Sequence, residues 1–223
     1  MVSIISGILN EQEIKFTLQQ MAATPFVDGR VSAGPLGQKI KHNTVMSNSD
    51  TAYKPLAQSV LGRISANAEF NVAAIPKRLL PPIFSIYDKD MHYGSHIDAS
   101  LMGPYPGMRT DLSMTIFLSD PQSYKGGELV METAFGEQQY KLKPGDAVLY
   151  PTHFVHRVNP VRSGRRAVIV TWIESMVRDP AKREILGEMA ELTKWLAENH
   201  PTSDQFKTAE KSRLNLLRMW ADT

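Results

Sequence analysis

Ile14, Leu18 and Met21 recur three and four positions apart, the spacing of one helical face. Asn10 stands before them with Glu13 three residues on, which is the pattern of a capping box. Leu9 and Ile14 flank that cap where a hydrophobic staple closes. Ahead of it, Val2 to Leu9 is apolar and reads as a short strand. A second helical pattern starts near Lys54, with Pro55 in the first turn, where a missing N–H does no harm. Leu56, Val60, Leu61 and Ile64 form its apolar side, and the pattern runs to about Ala68. Asp28–Gly29 and the Gly34–Gly37 break mark turns between the two helices. The polar stretch from there to residue 50, with Lys39, Lys41 and His42, predicts an edge strand or a flap.

From residue 82 the period drops from helical to alternating. Phe84 and Ile86 alternate with Ile83, Ser85 and Tyr87, and Leu112, Met114, Ile116 and Leu118 alternate with Ser113, Thr115 and Phe117. Short strands follow at Glu128–Met131, Gln138–Leu142, Ala147–Tyr150 and Val155–Val158, and a longer one at Ala167–Trp172. Gly126–Gly127 and Pro144–Gly145–Asp146 punctuate them. Many short strands separated by such turns predict a sandwich or barrel. After Met176 the helical period returns. Asp179 caps a helix with Pro180 at its first position, and Ile185, Met189, Leu192 and Leu196 form its stripe. His200–Pro201 ends it, and a last helix from about Ser203 to Trp220 carries Phe206, Leu214, Leu217 and Trp220. The expected fold is mainly β with flanking helices: a β-sandwich core, N-terminal helices and a C-terminal helical hairpin. The expected division is residues 1–177 as the core domain and 178–223 as a helical extension, the hairpin packing on the sheet or on a second copy of the chain.

Composition narrows the picture further. A chain of 223 residues, 42% hydrophobic and 22% charged, builds one core with decorations rather than two equal domains. The net charge of +2, with no long basic block, gives no reason to expect nucleic acid as a partner. The absence of cysteine excludes disulfides, thiolate metal sites and a cysteine nucleophile, and fits a reducing compartment. The N-terminus lacks the basic-then-apolar pattern of a signal peptide, and no apolar run reaches bilayer length. These features predict a cytoplasmic protein without a membrane partner.

The candidate chemistry lies at His92–Tyr93–Gly94–Ser95–His96–Ile97–Asp98. On a strand, His96 and Asp98 point to the same face. A second imidazole beside them would complete a 2-His-1-carboxylate set, which holds a non-haem Fe(II) and leaves its other positions open. His156 is the first candidate for that imidazole; His153 and His92 are rivals. Alone, an H-x-D pair also fits two polar loop residues. Arg166 has the strand parity of Val168, Val170 and Trp172, so it can point inward and grip a carboxylate, although Arg165–Arg166 after Gly164 also reads as a solvated strand start. Arg109 with Asp111 reads as a surface ion pair, with orientation of the site as the alternative. Tyr87 and Tyr93 serve either core packing or contact with a bound acid.

A longer set of segments goes beyond spacing. Phe26–Arg30, Met91–Gly94, Arg109–Ser113, Phe117–Pro121, Gly126–Leu129, Leu149–Pro151, His156–Val158 with Pro160–Val161, and Trp172–Asp179 together resemble the bacterial PKHD-type hydroxylases, oxygenases related to prolyl 4-hydroxylases. The resemblance covers almost the whole chain. It implies a double-stranded β-helix, a jelly-roll variant, with helices outside. It implies His96, Asp98 and His156 as iron ligands, favouring His156 over His153, and Arg166 as the partner of the far carboxylate of 2-oxoglutarate. Tyr87, nine residues before His96, matches a tyrosine that relatives use near that co-substrate. His153 departs from the small polar residue usual at its position. The implied cofactors are Fe(II), 2-oxoglutarate and dioxygen, with ascorbate as a further one. The implied reaction hydroxylates an unactivated C–H bond of a small-molecule or peptidyl substrate and releases succinate and carbon dioxide. Two other readings compete with it. One is a zinc-dependent or non-catalytic metal-binding jelly roll, which has no need of Arg166. The other is an interaction module working through its C-terminal hairpin, possible only if the apolar stripe is uncovered.

Overall fold

The computed structural model describes residues 2–222. The chain opens with strand β1 (Ser3–Ile5), shorter than the apolar run suggests because Gly7 turns it at φ +61°. Helix α1 (Glu11–Ala23) follows with both halves of the expected box: the Asn10 side chain accepts from the Glu13 amide, and the Glu13 carboxylate accepts from the Asn10 amide. Strands β2 (Phe26–Asp28), β3 (Lys41–His42) and β4 (Thr44–Met46) come next, with two short 3-10 turns between β2 and β3. Helix α2 (Tyr53–Ala66) stops at Asn67, whose side chain then caps a further helix, α3 (Ala68–Ala74), by accepting from the Phe70 amide. The sequence pattern merged the start of α3 into α2 because both bury apolar residues on the same core.

Thirteen strands then follow in order: β5 (Pro76–Leu79), β6 (Ile83–Tyr87), β7 (His92–His96), β8 (Leu101–Met102), β9 (Met108–Arg109), β10 (Leu112–Phe117), β11 (Lys125–Gly126), β12 (Leu129–Thr133), β13 (Gly136–Tyr140), β14 (Ala147–Pro151), β15 (His156–Val158), β16 (Val161–Ser163) and β17 (Arg166–Ser175). The chain closes with α4 (Pro180–Asn199), capped by Asp179, and α5 (Asp204–Trp220), capped by Ser203. The shortest strands, β3, β8, β9 and β11, have two residues each, too few to show a period in the sequence.

Most strands form two antiparallel sheets, while β8 pairs only with β9 and β11 only with β16. The larger has the order β1-β14-β10-β17-β6-β4-β2, with β5 paired to the far end of β17. The smaller has the order β13-β12-β15-β7-β3. Neighbours far apart in sequence pair within each sheet, and helices cover one side, as a jelly roll requires. Alternation along the central strands divides two cores. Ala167, Ile169 and Ile173 of β17, with Leu112, Met114 and Ile116 of β10, face α1, α2 and α3. Val168 of β17 and Phe117 of β10 face the smaller sheet, against Leu129, Met131 and Val158. A central strand buried on both faces therefore carries two different surfaces, and Ser113 and Thr115 of β10 and Arg166 of β17 belong to the inter-sheet side.

Arg109 and Asp111 form no surface pair. Asp111, whose side chain is 7% exposed, accepts from Arg109 Nε at 2.8 Å and from the Ser175 amide at 2.9 Å, and Arg109 donates to the Ser175 carbonyl at 2.9 Å. The group ties the start of β10 to the end of β17. Arg183 of α4 is buried and donates to the Val177 and Arg178 carbonyls, tying the first turns of α4 to the segment that leaves β17.

Candidate metal centre

His96 closes β7, and His156 opens β15, its neighbour, so the register pairs the two histidines directly across the sheet. Asp98 lies just beyond the end of β7 rather than on it. The irregular segment there, and not strand alternation, carries its carboxylate back beside His96. One ligating atom from each of the three lies within 4.8 Å of the others, and this is the one such group among the described residues. His96 Nε2 is 3.7 Å from Asp98 Oδ1, and His156 Nε2 is 3.7 Å from Asp98 Oδ2. The rivals are elsewhere: His153 is exposed and edges the Phe154 ring, and His92 lies against His42.

Backbone carbonyls set both tautomers. His96 Nδ1 is 2.8 Å from the Gly94 carbonyl, and His156 Nδ1 is 3.0 Å from the Phe154 carbonyl. A carbonyl only accepts, so each Nδ1 carries the proton and each Nε2 keeps its lone pair for a cation. Burial, and then the neighbouring His156, pull His96 down to about 4 from an ordinary 6.5, so its imidazole is neutral at neutral pH, the form that ligates. Asp98 is held from one side. Its Oδ2 accepts from Ser113 Oγ at 2.8 Å and from Trp172 Nε1 at 2.9 Å. Its Oδ1 receives no donor and stays available.

The triad opens into a cavity between the two sheets, lined among others by Lys41, Tyr87, Tyr93, Tyr150, Arg166 and Trp172. Arg166 is 1% exposed, and its parity with Val168 and Trp172 does turn it inward. Its guanidinium lies 4.9 Å from the centroid of the Tyr87 ring and 5.7 Å from that of Phe117. Its Nε has no hydrogen-bond partner, and no carboxylate of the described residues forms an ion pair with it. A buried guanidinium without an anion is costly, and an anion from outside the chain would offset that cost. Burial also raises the phenols of Tyr87 and Tyr150 and carries Tyr93 to about 12, so all three keep their protons at neutral pH. Tyr93 stacks on His96, with centroids 3.6 Å apart and planes 18° apart. The sequence reading missed Ser113, Tyr150 and Trp172. Their signal was polar or amphipathic side chains at inward positions of strands that are otherwise apolar.

Two imidazoles that turn Nδ1 to backbone carbonyls and one free carboxylate oxygen suit a hard-to-borderline divalent metal with open positions, and the unpaired arginine behind them suits a dicarboxylate. Fold and site together define a 2-oxoglutarate-dependent iron oxygenase, and residues 82–174 match the family model described as the 2OG-Fe(II) oxygenase superfamily. The fold is similar to that of a Pseudomonas putida prolyl-4-hydroxylase, at 16% identity and a TM-score of 0.54, covering 78% of this chain and 92% of that one. It is also similar to a Trichoplax adhaerens prolyl hydroxylase, at 15% identity and a TM-score of 0.54, covering 83% and 86%. Identity is far higher to three curated proteins. The chain is 44% identical to a PKHD-type hydroxylase of Thioalkalivibrio sulfidiphilus and 39% identical to one of Crocosphaera subtropica, covering 100% of each chain in both cases. It is 40% identical to one of Escherichia coli over 98% of both chains. The chain belongs to the PKHD-type hydroxylases. It is an enzyme whose reagents are Fe(II), 2-oxoglutarate and dioxygen. Among the described residues no helix is long and apolar enough to cross a membrane.

Proposed function

We propose that His96, Asp98 and His156 are the iron ligands and that Arg166 binds the far carboxylate of 2-oxoglutarate, with Tyr87 beside it. The observation that carries this reading is the pairing of a metal-competent triad with a buried arginine that has no acid of its own, in one cavity. The metal, 2-oxoglutarate and dioxygen supply the oxidising power that hydroxylates an unactivated C–H bond, with succinate and carbon dioxide released. The residues do the rest. The Gly94 and Phe154 carbonyls hold the imidazoles in their ligating tautomers. Ser113 and Trp172 fix the Asp98 carboxylate so that Oδ1 faces the cavity. Arg166 orients the co-substrate by a forked, charge-assisted contact, and its packing on Tyr87 keeps the guanidinium in place. Val158, Val170 and Leu129 line the same space and limit water around the reacting groups.

The primary substrate is a small molecule or a peptidyl group, and proline is not implied by the family name. Ascorbate joins the reading as a further cofactor. Residues 1–177 act as the oxygenase domain and 178–223 as its extension. Ile185, Leu192, Trp195 and Met219 stay exposed on that hairpin, which supports contact with a second copy of the chain. The test is an anaerobic Fe(II) titration with and without 2-oxoglutarate, following the weak visible charge-transfer band of the chelate. The band is expected in the native protein and lost or greatly weakened in R166A. Bound metal without a band in the native protein would overturn the assignment and favour the zinc reading.

A further inference from the structure

Arg166 is not the only cation in the cavity. Lys41 lines it too, from the opposite sheet: β3 pairs with β7, placing Lys41 opposite Tyr93, whereas Arg166 stands on β17 of the larger sheet. The Lys41 ammonium lies 4.8 Å from the centroid of the Tyr93 ring, and that ring stacks on His96. Burial pulls its pKa down to about 8, opposed by the nearby Asp98. Its one hydrogen bond goes to Ser32 Oγ at 2.8 Å, and Ser32 in turn donates to the Gly29 carbonyl. An ammonium has three N–H groups, so two remain to be given. No carboxylate of the described residues forms an ion pair with it, and the only carboxylate lining the cavity is Asp98.

Charge balance gives this lysine its meaning. It rests on the reading proposed above. A divalent metal, the Asp98 carboxylate, the 2-oxoglutarate dianion and Arg166 balance to zero. Lys41 then remains as one partly buried positive charge with no counter-ion. Such a charge is costly unless something pairs with it. The co-substrate cannot serve, because its far carboxylate is engaged by Arg166 on the other sheet and the rest of it is held at the metal. Lys41 also lies outside the 82–174 segment that matches the superfamily model, so the lysine is no part of that shared segment.

We propose that Lys41 is the substrate-reading residue of this enzyme and that the primary substrate is an organic acid, presenting a carboxylate to the Lys41 ammonium beside the metal. The Ser32–Gly29 relay holds the ammonium in place, and Tyr93 both supports it and packs on the ligand His96. The acid would thus be positioned relative to the metal by a group that does not touch the co-substrate.

The experiment uses the full chain loaded anaerobically with Fe(II) and 2-oxoglutarate, with benzoate and benzamide as probes of equal shape and different charge. In the native protein benzoate is expected to perturb the charge-transfer band saturably without bleaching it, while benzamide leaves it unchanged. In K41M the band should still form with 2-oxoglutarate, and benzoate should bind more weakly by roughly tenfold or more, as for loss of a charge-assisted hydrogen bond. Four results would overturn the proposal: no response to benzoate, an equal response to benzamide, unchanged benzoate binding in K41M, or bleaching of the band, which would mean that benzoate displaces 2-oxoglutarate. A K41M protein that melts like the native one but forms no band would assign Lys41 to the co-substrate instead. If the native protein forms no band at all, the triad and Arg166 assignments fail, and this inference falls with them.

Discussion

Trp172→Phe isolates one hydrogen bond in the support of the metal site. In the native protein Asp98 Oδ2 accepts from Trp172 Nε1 at 2.9 Å and from Ser113 Oγ at 2.8 Å, while Oδ1 has no donor. Phenylalanine keeps an aromatic ring against the cavity wall and removes the N–H together with part of the indole, so a melting control is needed to separate the two. A hydrogen bond to a charged acceptor in such surroundings is worth about 1.5–3 kcal/mol, and support groups behind a ligand typically set metal affinity by about 10–100-fold. W172F should therefore bind Fe(II) more weakly by roughly tenfold or more. Ser113→Ala should do the same. The double variant should lose more than the two factors multiplied, because each donor alone partly compensates for the other on a shared oxygen. Anaerobic competition against a chelator measures all four affinities, and thermal melting of the metal-free proteins checks the fold. If W172F and S113A each bind Fe(II) within about threefold of the native protein, the carboxylate is not held by these donors and the account of the site is wrong.

Two further outcomes follow from the same geometry. Gly127 has φ +69°, and an added Cβ would meet Val161 Cγ2 at 2.9 Å and Arg166 Cδ at 3.1 Å. Gly127→Ala should cost about 1–2 kcal/mol of stability in denaturant and displace the arginine. Weaker 2-oxoglutarate binding with Fe(II) binding retained is the expected result, and unchanged 2-oxoglutarate affinity would contradict it. The pH dependence of the metal-free protein rests on His96, which burial and the neighbouring His156 hold near 4 against an ordinary 6.5. Its folded value is the lower one, so between these two values the unfolded chain binds more protons. The stabilisation is full above 6.5 and is lost as pH falls toward 4. Melting temperatures across that window should fall more steeply for the native protein than for His96→Gln, and equal slopes would remove His96 as the cause.

Much of this protein could be read without its structure. Helices announce themselves locally, because caps and the 3.6-residue period depend on near neighbours: the Asn10 box, the Asp179–Pro180 start and the apolar side of α2 all lie where the pattern places them. The alternation along β10 and β17 also identified the two faces, and parity allowed the inward turn of Arg166, which only the fold decided against a solvated strand start. The triad could be nominated from the spacing of His96 and Asp98 and from the resemblance to known hydroxylases.

What spacing could not do was choose among His156, His153 and His92, since that choice depends on the β7–β15 register, a contact between segments 60 residues apart. Nor could it show that Arg109 and Asp111 are a half-buried clasp on Ser175, or that Ser113 and Trp172 meet on one oxygen of Asp98. Lys41 was visible only as a charge in a polar stretch; its place in the cavity follows from an edge strand two residues long. Local sequence determined which elements form and which face of each is apolar, because those preferences are set within a few residues. Tertiary pairing decided which polar groups share a cavity and which are left without a partner, because burial and charge balance exist only once distant strands have met.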